Sequence, residues 1–161
     1  MTADKMVIDM ENVRIRLAQA GDAAELTKLA RDSYRQYVAA EGSEPEPMKT
    51  DYLTTILLGD TWVAEYQDEI IGLLVLQPRS NYLLLDNIAV DEAVRGCGLG
   101  RRLMDWSESR AIELGLSEIH LYTGAVMTQN RYYYESRGYE ETHRAFDGGH
   151  HRVYYTKTVR L

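Results

Sequence analysis

Arg95-Gly96-Cys97-Gly98-Leu99-Gly100 stands between the apolar stretch Tyr82–Val90 and the helix-like run Leu99–Leu114. Three glycines in five positions, directly ahead of a helix, let the backbone approach a phosphate closely, because glycine has no Cβ and turns without steric cost. The helix start adds unpaired N–H donors and the positive end of its dipole. Arg95, Arg101 and Arg102 bracket the turn with fixed positive charge. A Walker A reading fails, since no Gly-Lys-Ser or Gly-Lys-Thr closes the segment, and the glycines do not have dinucleotide-fingerprint spacing. By itself the segment reads either as a cradle for a phosphorylated cofactor or as a plain glycine-rich turn.

The rest of the chain narrows the choice. Its 161 residues predict one domain, residues 13–161, behind a short flexible leader over residues 1–12. A net charge of −7 argues against nucleic acid as a partner. It also requires local arginines and N–H dipoles to outweigh the overall field at any polyphosphate site. Cys97 is the single cysteine, which excludes an internal disulfide and a cysteine-cluster zinc site and points to a reducing, cytoplasmic setting. There is no apolar signal segment and no run of the roughly 20 apolar residues that would span a membrane, so no membrane partner is expected.

Val13–Leu17 alternates like a half-buried strand. Asp22 follows as a helix cap with Glu25 as capping-box partner, and Ala23, Leu26, Ala30, Tyr34 and Tyr37 recur at helical spacing. Glu41–Pro47 reads as irregular, and Asp51–Leu58 as a second helix stopped by Gly59. Thr61–Tyr66 and Glu69–Gln77 form a hairpin around Gln67-Asp68. Tyr82–Val90 is a long strand whose apolar run predicts burial on both faces. Beyond the glycine turn come the helix Leu99–Leu114, the strand Glu118–Tyr122, the helix Gln129–Arg137 stopped by Gly138, and closing strands at Tyr139–Ala145 and Arg152–Val159. His150-His151 is expected to decorate the turn at Asp147-Gly148-Gly149.

That order, β-α-α-β-β-β-α-β-α-β-β with the glycine turn after the fourth strand, resembles the GNAT superfamily of acyl-CoA N-acyltransferases over nearly all of Val13–Leu161. Arg95, Gly98 and Gly100 match one motif of the family, and Tyr134-Glu135-Ser136-Arg137-Gly138-Tyr139 matches a second. Pro45-x-Pro47-Met48-x-x-Asp51-Tyr52, Asp86–Val90, Leu121-Tyr122-Thr123, Met127-Thr128-x-Asn130 and Arg152-Val153-Tyr154 are similar to bacterial members presumed to act on small amines. The resemblance implies an α/β (α+β) fold: a mixed, mostly antiparallel twisted sheet of about seven strands flanked by about four helices.

It also implies acetyl transfer from acetyl-CoA, without a metal, to a primary amine of a small molecule or peptide, and it allows a homodimer. The backbone of Ile88, Ala89 and Val90 is expected to pair with the pantetheine arm and to steady the thioester oxygen. Arg95 and the amides of Gly96, Cys97, Gly98, Leu99, Gly100 and Arg101 are expected to take the pyrophosphate. Cys97, at a helix N-terminus, is expected to be shielded from alkylation by bound cofactor if its thiol is reactive. Many members carry Asn seven residues before the motif tyrosine; here that position is Met127, and Asn130 lies one helical turn later as the cofactor contact.

Tyr134 is the expected general acid, because a phenol can protonate the departing thiolate. An amine that is charged at neutral pH needs a base, and Asp86 on the strand before the turn is the candidate, directly or through water. His120, His143, His150 and His151 are alternatives, and a purely structural carboxylate is the other reading of Asp86. Pro47, Met48 and Tyr52 are expected to line the acceptor pocket, since loops often carry specificity. The alternative function is an acyl-CoA-binding regulatory module that keeps the cofactor site without catalysis.

Overall fold

The computed structural model describes residues 7–160. Seven strands form one mixed sheet in the order β1-β2-β3-β4-β5-β7-β6. They are β1 (Arg14–Leu17), β2 (Thr61–Tyr66), β3 (Glu69–Pro78), β4 (Leu83–Val90), β5 (Glu118–Gly124), β6 (Glu140–Asp147) and β7 (His150–Thr158). Around them lie α1 (Ala23–Tyr34), the single turn α2 (Val38–Glu41), α3 (Tyr52–Leu57), α4 (Leu99–Glu113) and α5 (Thr128–Ser136). All strand pairs are antiparallel except β4 with β5.

The two faces of the sheet bury separate cores. Leu26, Leu29 and Ala30 of α1, with Tyr52 and Ile56 of α3, cover Val63, Leu73, Val75 and Ala89. Leu99, Leu103, Met104 and Ala111 of α4 cover the other face, against Ala64, Leu74, Leu85 and Leu121. Gly72 in β3 admits this packing: a Cβ there would lie 3.2 Å from Leu99 Cδ2 and 3.3 Å from Leu103 Cδ1. The β2–β3 turn uses Gln67 at φ 50° and Asp68 at φ 64°. Two left-handed residues match the twist of the hairpin they join.

Several expectations change. The strand buried on both faces is β3, through Ile71–Leu76, because it lies between the two helical layers. In β4 buried and half-buried residues alternate instead. Asp22 does not pair with Glu25; it accepts from Arg16 and from the Gln19 amide, and Arg16 also reaches Glu65 (2.9 Å). The helical path of α1 runs on through a 3-10 turn and α2 to Glu41, so only residues 42–45 of the expected loop lack helical turns. Residues 1–6 of the expected leader lie outside the described residues. In its remainder, Ile8 and Met10 pack on the core and the Met10 carbonyl accepts from Arg102 (2.6 Å). That bond commits Arg102 to the leader rather than to the front of the glycine turn.

The sheet opens at one place. β4 and β5 pair only at Leu83↔Ile119 and Leu84↔His120, where Tyr82 stacks on His120 at 3.9 Å. Beyond that point the register of β4 with β3 slips by one residue, because Asp86 is an extra residue opposite the Val75–Leu76 step. Such a bulge bends the strand that carries it and re-aims its side chains. Leu83 and Leu85 before the bulge, and Ile88 and Val90 after it, all face the α4 side, while Ala89 faces α1.

Candidate active site

The opening beside β4 brings together Ile88, Ala89, Val90, Arg95 and Asn130 of the expected donor residues. Asp91 N–H donates to Ile71 O (2.8 Å), so position 91 turns its backbone toward β3. That direction alternates along an antiparallel ladder. Ile88 and Val90 therefore turn their N–H and C=O groups into the opening. Ala89, expected to act with them, turns its own back to β3. The Tyr34 hydroxyl shares its one hydrogen between Ile88 O (3.0 Å) and Asn87 Oδ1 (2.9 Å), and the Ser33 hydroxyl donates to Val90 O (3.3 Å). Each carbonyl keeps a second lone pair for another donor.

The glycine turn lies at the end of this strand. Gly96 and Gly98 have φ of 84° and 91°, the left-handed region that disfavours other residues, and no heavy atom lies within 4 Å of a Cβ built on Gly98 or Gly100. The helical ladder of α4 begins with Arg102 N–H donating to Gly98 O (3.1 Å). The amides of Leu99, Gly100 and Arg101 are ahead of that ladder, at the electropositive helix end. The Cys97 amide is turned to Val94 O instead (3.2 Å), and the Leu99 side chain is buried in the core. Arg95 borders the recess along Ile88–Val90. The side chain of Arg101 is exposed.

A second recess faces β5 and β7, bordered by Pro47, Asp86, Tyr122, Tyr134, His150 and Arg152. Tyr34, Ile88 and Asn130 border both recesses, so the two meet there. Tyr134 projects from α5 with its ring packed on Tyr139 (6.0 Å) and Tyr155 (6.2 Å). Burial, and then the neighbouring Tyr133 and Tyr37, raise its pKa above the ordinary phenol value, so it is protonated at neutral pH. Asp86 is half-buried, and desolvation raises its pKa while Arg79 and Arg152 oppose the rise. The Arg152 guanidinium stacks over the Tyr122 ring at 4.3 Å and reaches Asp147 (3.3 Å).

The acceptor-pocket expectations divide. Pro47 borders the recess. Met48 is buried, with its carbonyl accepting from Arg31 (3.2 Å), and the Tyr52 side chain is buried behind the wall. Tyr52 instead belongs to a directed chain of hydrogen bonds. Tyr34 OH donates to Asn87 Oδ1 (2.9 Å), Asn87 Nδ2 to Tyr52 Oη (2.8 Å), and Tyr52 OH to Pro47 O (2.7 Å). The wall of one recess is thereby tied to the carbonyl of Ile88 in the other. Asn130 Nδ2 lies 3.6 Å from Met127 Sδ.

His150 overturns its expected place on a turn surface: it opens β7, is buried, and pairs with Glu41 at 2.7 Å. No local pattern announces this pair, because 109 residues separate its members. The one available signal is the period-2 alternation of His150, Arg152 and Tyr154 along a strand. Among the described residues no group of three or more His, Cys, Asp or Glu could hold a metal ion, and no helix is long and apolar enough to cross a membrane.

A family model described as an acetyltransferase (GNAT) domain matches residues 58–141. No curated protein matches the chain. Among solved structures, Ard1 from Thermoplasma volcanium is similar, with a TM-score of 0.76 at 18% identity, covering 93% of this chain and 99% of that one. The PaiA N-acetyltransferase of Thermoplasma acidophilum, in complex with coenzyme A, has a TM-score of 0.76 at 18% identity, covering 91% and 98%. A GNAT-family acetyltransferase from Elizabethkingia anophelis with acetyl-CoA bound has a TM-score of 0.66 at 23% identity, covering 92% and 99%.

Proposed function

The chain belongs to the GNAT acetyltransferase family, whose domain model spans just over half of it, and from that premise we propose that it transfers the acetyl group of acetyl-CoA to a primary amine of a small molecule or peptide. The observation that carries this reading is the parting of β4 from β5 beside the glycine turn. Ile88 and Val90 share one recess with Arg95, and that recess meets, at Tyr34, Ile88 and Asn130, the one that Tyr134 borders. Two similar structures hold coenzyme A or acetyl-CoA, which supports the donor.

In this reading residues 13–161 act as one catalytic domain in the cytoplasm. The pantetheine arm lies along Ile88 and Val90, and the pyrophosphate meets Arg95 and the amides from Gly98 to Arg101. Asn130 borders the arm where the two recesses meet. An N–H of the opened strand donates to the thioester oxygen, a bond that strengthens as negative charge develops there. Asp86 places negative charge at the bulge, where an ammonium is drawn to it, and it is one of two groups bordering the recess, with His150, that can serve as the base directly or through water. The amine attacks the thioester carbonyl, and Tyr134 gives its proton to the departing sulfur. Pro47 borders the acceptor.

Thiol release from acetyl-CoA, measured across polyamines, amino acids, aminoglycosides and peptide N-termini, tests the reading. Saturable release with one class supports it. Tight acetyl-CoA binding with no acceptor in any class would favour a non-catalytic acyl-CoA-binding module instead.

A further inference from the structure

A buried acid–base pair borders the second recess. Glu41 Oε2 and His150 Nδ1 meet at 2.7 Å, and their side chains are 6% and 5% exposed. Glu41 ends α2 and His150 opens β7. Gly124 of β5 makes room for them, since any side chain there would collide with Glu41 Oε1. A carboxylate can only accept, so Nδ1 carries a hydrogen, and in the neutral ring Nε2 is then the atom with the lone pair. That lone pair faces the exposed Ser43 hydroxyl at 3.4 Å, a long contact that an arriving N–H donor can replace.

Other charged groups surround the imidazole. Asp147 of β6 lies opposite His150 in the strand register. Arg152, two residues along β7, is held by Asp147 and Tyr122. Glu46 and Asp86 border the same recess, and Lys49 lies 3.4 Å from Glu46. Burying a carboxylate and an imidazole costs desolvation that apolar packing would avoid, so the pair calls for a role in the pocket.

We propose that His150, oriented by Glu41, is the general base that deprotonates the acceptor amine; the inference rests on the acetyltransferase reading above. The ammonium gives one proton to His150 Nε2 and becomes a neutral amine. The imidazolium that forms is held through its Nδ1–H on Glu41 Oε2, as in other carboxylate-oriented histidine bases. The amine lone pair forms the C–N bond, and the C–S bond then breaks. Tyr134 protonates the thiolate, the surplus proton on nitrogen passes to the Tyr134 oxygen, and the proton on His150 leaves to water. Asp86 then serves as a fixed negative charge that draws the ammonium in.

Ethylamine and methoxyamine separate this role from a structural one. They are nearly isosteric and small enough to enter without specific recognition, but at neutral pH ethylamine is protonated and methoxyamine is neutral. His150→Gln is expected to slow CoA release with ethylamine by about 100-fold and with methoxyamine by less than about threefold, because only the charged amine needs a base. Raising the pH should restore the ethylamine rate, and Glu41→Gln should show the same selectivity with a smaller loss. Equal losses with both amines, or an acid limb that persists in His150→Gln and vanishes in Asp86→Asn, would overturn the inference. Acetyl-CoA binding, measured by calorimetry on the same proteins, tells the two failures apart. Binding without selectivity defeats the base assignment alone, whereas no binding by the wild type defeats the acetyltransferase reading and the assignment with it.

Discussion

On the proposed donor side of the cleft the groups that face the opening are main chain: Ile88 and Val90 in the parted strand, and the amides around Gly98. On the acceptor side they are side chains, brought by α2, the Pro47 turn, β4, β5 and β7 from positions as far apart as Glu41 and Arg152. Main-chain sites depend on backbone conformation, which a few glycines can specify locally. Side-chain sites depend on packing among distant segments. The two halves should therefore respond to mutation in different ways.

The sharpest separation is expected at Tyr134, where the halves meet. Tyr134→Phe keeps the ring packed on Tyr139 and Tyr155 but removes the hydroxyl proposed as the proton donor. Turnover should fall by about 100-fold with acetyl-CoA affinity unchanged, as read by steady-state kinetics beside calorimetry. An equal loss of affinity would make Tyr134 part of the donor side.

Asn87 comes next. It is 4% exposed and joins Tyr34 to Tyr52. Asn87→Leu removes one partner from each of two hydroxyls, which keep Ile88 O and Pro47 O, and the two lost hydrogen bonds should cost about 1–3 kcal/mol of stability, seen as a lower thermal midpoint. It should also raise the acceptor KM more than the acetyl-CoA KM, since Tyr52 anchors Pro47. Equal effects on both substrates would mean that the chain only holds the fold together.

On the donor side Gly98→Ala meets no steric obstacle, but it forces a side chain into φ 91°. The conformational cost is about 1–2 kcal/mol, so acetyl-CoA should bind up to about thirtyfold more weakly while the acceptor KM stays put.

The smallest effect is one of stability against pH. The folded pKa of Asp86 is raised by burial, so its protonated form suits the fold. The stability it contributes is complete below its ordinary value of 3.8 and is lost as pH rises through the folded value. Asp86→Asn should therefore raise the thermal midpoint at pH 7 by a few degrees at most, and the gain should vanish as the pH falls below that ordinary value. Lower activity in the more stable variant would mark Asp86 as a residue kept for chemistry.

Much of the fold was legible because its signals are local. Gly59, Gly115 and Gly138 stop helices and adopt left-handed φ, and the turn at Gln67-Asp68 sits between two runs of strand-forming residues. The burial of β4 was misjudged because its apolar residues suit either a core or the wall of a cleft, and its neighbours decide which. The Asp22 cap failed for a similar reason: Arg16 and Gln19 compete for the carboxylate. In the proposed site, Gly98, Arg95 and Tyr134 are singled out by motif spacing. Tyr34, Asn87 and the Glu41–His150 pair are not, because their roles come from partners 35 to 109 residues away.

By itself the sequence determined the alternation of strands and helices, the position of the glycine turn ahead of α4, and the glycine that follows α5. All three follow from backbone preferences acting over a few residues. Only the tertiary structure decided that a one-residue bulge at Asp86 turns Ile88 and Val90 outward, that Tyr52 lies behind the pocket wall, and that His150 is buried against Glu41. Those outcomes depend on which distant surfaces exclude water together, and spacing along the chain carries no record of that.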